Sequence, residues 1–62
     1  MSRVIVYVNG GRFELAPNYS PDDVIRQLSS PRGDLLRFDL RAGGAVSFGV
    51  TPGLAWAVED AQ

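Results

Sequence analysis

Cysteine and histidine are both absent from this 62-residue chain, and lysine is absent as well. Without cysteine or histidine there is no disulfide framework, no thiolate chemistry and no Cys/His zinc site. No apolar run approaches the roughly 20 residues that a membrane-spanning helix needs. Met1-Ser2-Arg3 leads straight into strand-like sequence, with no apolar stretch of the kind a secretory leader carries. The expected setting is therefore the cytoplasm, with no membrane. Nor does charge of one sign prevail: six arginines stand against seven carboxylates, a net charge of −1. The arginine-only set of cations reads as GC-rich coding, consistent with the Ala, Gly, Val and Arg bias. Selection for bidentate anion contacts is the functional alternative. Arg3, Arg12, Arg26, Arg32, Arg37 and Arg41 are dispersed among acids. That spacing argues against nucleic acid as a partner, since such binders gather their basic residues on one face.

What the chain does have is 45% hydrophobic residues in a length that suits one domain, residues 1–62. A domain this small buries only about 60% of its unfolded surface, so its stability is marginal. With staples excluded, the fold must rest on its core, its turns and, where available, a partner surface.

The apolar pattern specifies the elements in order. Val4 to Val8 is rich in β-branched residues and runs into Asn9-Gly10, the strongest short hairpin signal, because a type I′ turn needs positive φ at both central positions. That turn pairs Val8 with Gly11, Val6 with Phe13 and Val4 with Leu15 on one apolar face. The other face pairs Tyr7 with Arg12, Ile5 with Glu14 and Arg3 with Ala16, and Arg12 can lie over the Tyr7 ring. A one-residue slip would turn Phe13 and Leu15 to the wrong side. Ser20-Pro21-Asp22-Asp23 starts a helix: serine caps it, proline suits its first position and the aspartates meet the positive end of its dipole. Val24, Ile25 and Leu28 recur on one helical face, and Ser29-Ser30-Pro31 ends the element. Leu35 to Leu40 and Ala45 to Val50 both alternate, around a turn at Arg41-Ala42-Gly43-Gly44 whose length is left open. Thr51-Pro52-Gly53 fits a type II turn. Leu54 to Glu59 alternates as a fifth strand, with a short helix capped by Thr51 as the alternative. The expected fold is α+β: a small ββαβββ sheet with one helix on one face, or ββα-ββα if the last segment is helical.

The run Val6-Tyr7-Val8-Asn9-Gly10, then Phe13-Glu14-Leu15, then Ser20 through Leu28, resembles the opening of β-grasp proteins of the small sulfur-carrier type. The resemblance covers roughly the first half and implies a β-grasp-like fold. It does not bring the carrier chemistry with it. Those carriers end in Gly-Gly, whereas Glu59-Asp60-Ala61-Gln62 stands here and both Gly-Gly pairs, Gly10-Gly11 and Gly43-Gly44, suit turns.

No nucleophile–base pair can be assembled from these residues, so no enzyme and no cofactor is expected. Asp22, Asp23, Glu59 and Asp60 match no calcium-loop spacing, and Arg32-Gly33-Asp34 reads as a turn. The more informative feature is apolar surface. The first strand is apolar on both sides, yet one helix covers only one. Ile5, Tyr7, Arg12, Leu35 and Arg37 are therefore expected to form an exposed contact face. The function that follows is a non-catalytic protein-interaction or adaptor module, associating through its sheet with itself or a larger protein. A structural part of a larger assembly such as a phage particle, and a regulatory nucleic-acid binder, are the alternatives.

Overall fold

In a computed structural model, residues 3–29, 35–51 and 53–61 are described. The element order is β1 (Arg3–Val8), β2 (Gly11–Glu14), α1 (Pro21–Leu28), β3 (Leu35–Asp39), β4 (Ala45–Gly49) and β5 (Trp56–Ala61). This is the expected α+β order, ββαβββ, and the last segment is a strand, so the ββα-ββα alternative falls.

Local chemistry accounts for the turns. Asn9 and Gly10 have φ of 49° and 87°, the two positive values that a type I′ hairpin requires. The register follows as expected, with Val8 opposite Gly11, Val6 opposite Phe13, Tyr7 opposite Arg12 and Ile5 opposite Glu14. The Leu15 amide then donates to the Val4 carbonyl at 2.9 Å. The second bend is a three-residue loop. Leu40 donates to the Gly44 carbonyl, and Gly43, at φ 105°, donates back to Leu40. A turn also closes between Thr51 and Leu54, although Pro52, and with it the expected turn type, lies outside the described residues. So do Ser30, Pro31 and Arg32-Gly33-Asp34.

Ser20 caps α1 by accepting from the Asp23 amide, with Pro21 next to it. Only Val24 and Leu28, one helical turn apart, are buried from this helix. Ile25 is corrected to a surface position, 41% exposed. It lies about 100° around the axis from Val24, on the shoulder of the apolar stripe rather than at its centre.

The strands differ from the single sheet that was expected. They form a three-stranded antiparallel sheet in the order β2-β1-β5 and a separate β3-β4 hairpin. One antiparallel bridge, Leu15 to Leu40, joins the two. On either side of it Ala16 donates to Asp39 and Arg41 donates to Glu14, at 2.9 and 3.0 Å. Where β2 has turned away towards the helix, the Tyr19 hydroxyl takes its place and accepts from the Asp39 amide at 2.8 Å. The layer therefore runs β5-β1-β2-β3-β4 with a seam one residue pair long.

One core fills the inner side of both sheets. Val4, Val6, Val8, Leu15, Val24, Leu28, Phe38 and Val50 are buried, and Phe13, Leu36, Val46, Phe48, Trp56 and Val58 pack against them. Phe38 sits at the centre, with the Tyr19 ring edge-on at 5.4 Å and Phe48 at 6.0 Å. Such aromatic pairs add about 0.5–1.5 kcal/mol beyond their burial.

Candidate interaction surface

The outer side of the sheet is where the five expected contact residues were assigned, and the structure separates them. Ile5 is corrected first: it is 1% exposed and cannot be a contact residue. β1 lies between β2 and β5, which brings Glu14 to one flank of Ile5 and Glu59 to the other. These neighbours are tied down. The Tyr7 hydroxyl donates to Glu59 Oε1 at 2.7 Å. Arg41 Nε stands 2.7 Å from Glu14 Oε2, and Arg3 Nε stands 3.8 Å from it. Glu14 Oε2 is screened from water and accepts no aligned hydrogen bond. The two guanidiniums compensate its charge without directed bonding to it. Polar side chains thus close the face around Ile5, and Tyr7 is half-buried among them with its hydroxyl held by Glu59.

Arg12 is exposed and borders a recess of about 230 Å³, with Phe13 and Glu14 from β2 facing Leu40, Arg41 and Ala42 from the second bend. This is where β2 and the β3–β4 bend splay beyond the seam. Pockets that enclose small molecules usually run to about 300–1,000 Å³, and the one carboxylate here is already engaged by Arg41. Among the described residues, no group of three or more Asp or Glu side chains could hold a metal ion.

Leu35 and Arg37 are exposed, and Leu35 is 75% so. By strand parity they share the outer side with Ile5 and Tyr7. Leu35 is nevertheless six residues before Arg41, about 20 Å along β3 at the usual strand rise. The expected contiguous patch of Ile5, Tyr7 and Leu35 is therefore not formed.

A different feature surrounds Leu35. It pairs with Gly49 on β4, and Arg37 pairs with Ser47. Since Leu40 and Gly44 form a hydrogen-bonded pair, the alternation of an antiparallel ladder makes Phe38–Val46 and Leu36–Phe48 hydrogen-bonded too. The residues between them, Ala45, Ser47 and Gly49, must then turn their N–H and C=O groups away from β3. Among the described residues β4 has no other neighbour, and all three of these positions are exposed. Strands at a sheet margin are usually blunted by charge, proline or a bulge. β4 reads Ala-Val-Ser-Phe-Gly and has none of these. The opposite margin, β5, carries Glu59 and Asp60 and packs beside α1.

The signal for this edge was present in the sequence as an uncharged five-residue strand. What made it an edge was the strand order, which local pattern does not encode. No family model, no curated protein and no solved structure matches the chain.

Proposed function

We propose that this protein is a small non-catalytic interaction module, working in the cytoplasm, that engages protein through the outer edge of its β3–β4 hairpin. The free edge of β4 carries the reading. It offers outward-facing backbone groups at three alternate residues, on a strand without charge, beside a leucine that is 75% exposed. An extended segment added there would satisfy those backbone groups, and Leu35 would supply apolar contact. Binding in place of catalysis is supported by the lack of histidine and cysteine and by carboxylates already committed elsewhere: Glu14 to Arg41, Asp23 to Arg26 and Glu59 to Tyr7. Arg26 and Arg41 are occupied by those pairs, and Arg3 also lies beside Glu14, which weighs against a nucleic-acid binder. The β-grasp likeness rests on the element order and the Asn9-Gly10 hairpin alone, since β1 and β5 pair antiparallel and the strands divide into two sheets, and it supplies no carrier chemistry to this reading.

The test compares proteins retained by the immobilised domain with those retained by two variants. Ser47→Pro removes an outward N–H from the edge, a position where a margin strand tolerates proline. Tyr7→Glu alters the closed outer face instead. Retention should be lost with the first variant and kept with the second. Retention unchanged by Ser47→Pro would sink the edge as the binding surface. A component of a larger particle would use the same edge and differ only in which proteins are retained.

A further inference from the structure

Resting on that edge reading, we propose that the occupant of the β4 edge is a second copy of this chain, joined across a two-fold axis that passes through Ser47. The argument is one of self-complementarity. A two-fold interface sets a surface against its own image. The outward positions of β4 are Ala45, Ser47 and Gly49, an odd number with Ser47 in the middle. Antiparallel pairing about Ser47 therefore sets Ser47 against Ser47 of the second copy, and Ala45 against Gly49 in both directions. Each of these is a hydrogen-bonded pair that exchanges two bonds, so about six backbone bonds form and every outward group finds a partner. On the inner side the same register places Val46 directly opposite Phe48 of the second copy, twice over. This is the aromatic with β-branched pairing that stabilises antiparallel ladders, and both side chains are only half-buried in the single chain.

Charge decides between this occupant and others. Any charge on β4 would meet itself or its neighbour across the axis, and β4 carries none. Among the described residues, the nearest charges across the axis are the two Arg37 side chains. With Ser47 and its image between them, they stand about 14 Å apart at ordinary strand spacing, beyond the Debye length of about 8 Å at physiological salt. Partner strands bearing acids or bases would gain nothing from this neutral edge. Gly49 also has a use here. Nothing lies within 4 Å of where its Cβ would be, on the outer side next to Leu35. The row Leu35, Gly49, Ala45 of the second copy is thus open at its centre, and Leu35 can lean across it.

The experiment is analytical ultracentrifugation of the full chain over a range of concentrations, together with two charge variants at the exposed Ser47. The wild type should sediment at twice the chain mass. Ser47→Asp alone and Ser47→Arg alone should each be monomeric, because each puts like charges face to face on the axis. Their equimolar mixture should recover a one-to-one dimer, which native mass spectrometry resolves by mass. Circular dichroism matching the wild type shows that each variant folds. A wild type that stays monomeric at millimolar concentration overturns the proposal, and so does a dimer that neither charge variant weakens. If the chain is monomeric yet still retains other proteins in a manner blocked by Ser47→Pro, the second copy is excluded while the interaction module stands. If nothing is retained either, both readings fall.

Discussion

The first and second hairpins both bend at glycine-containing turns, yet their strands meet opposite surroundings. β1 has a neighbour on each edge, a core against its inner side, and a closed set of polar side chains over its outer side. Four of its six residues are buried. Among the described residues β4 has one neighbour, and it has no buried residue among its five and a bare outer side. A strand apolar on both sides thus becomes the structural centre, and one that alternates apolar with small uncharged residues becomes an unfinished margin. What distinguishes them is strand order, and with it the number of edges that the rest of the chain covers. Stability should accordingly be concentrated in the first hairpin and association in the second.

The strongest test of that division is Ile5→Ala. Removing a buried isoleucine costs about 2–5 kcal/mol, and a domain of this size has only about 3–5 kcal/mol in total. Urea titration should find the variant largely unfolded or close to it. A loss below about 0.5 kcal/mol, the usual size for a surface change, would mean that the outer side of β1 is open after all. Next in size is Gly10→Val, which forces a β-branched residue to φ 87°. Left-handed backbone costs an ordinary residue about 1–2 kcal/mol, so thermal melting should shift down clearly. The matching change in the second hairpin, Gly49→Val, meets open space in an extended strand and should move the monomer by no more than about 0.5 kcal/mol. Equal losses at the two glycines would remove the contrast.

A smaller effect is expected at the polar closure. Glu14→Gln leaves Arg3 and Arg41 facing a neutral amide, at a cost of about 1 kcal/mol. A double-mutant cycle with Arg41→Gln should show coupling between the two positions, because the loss is shared. Strict additivity would mean that the pair is incidental. Least of all should follow from Leu35→Ser. At dilutions where the chain is single, its unfolding midpoint should match the wild type to within about 0.5 kcal/mol, since this side chain is 75% exposed. Its effect should appear only in sedimentation at high concentration, as weaker association. A large loss of monomer stability would place Leu35 in the core's service and not at a contact.

Much of the architecture was legible because it is written in short-range chemistry. Asn9-Gly10 sets the first register, Ser20-Pro21 starts the helix, and the Leu36-Phe38-Leu40 alternation marks the inner side of β3. The burial of Ile5 was not legible. It depends on Glu59, 54 positions later in the chain, lying beside β1, and no local pattern states that β5 joins that edge. Ile25 misled for a different reason: three apolar residues at helical spacing need not all reach the core when the helix is eight residues long and packs through Val24 and Leu28. Leu35 was correctly read as exposed, but its company was misjudged. Parity along a strand gives the side of the sheet and says nothing of distance along it.

The seam between the sheets has a consequence for motion. A single residue pair, Leu15 with Leu40, and the Tyr19 hydroxyl register the β3–β4 hairpin against the rest of the layer. Regions held by few contacts open independently of the global transition. Backbone amides of β3 and β4 should therefore exchange with deuterated solvent as a group, sooner than those of β1. Whatever binds the β4 edge favours the closed form and slows that exchange by mass action. Protection would then rise at the Ala16 and Arg41 amides, across the hairpin from the bound strand, so occupancy of one margin could be read as a slower clock at a junction it never touches.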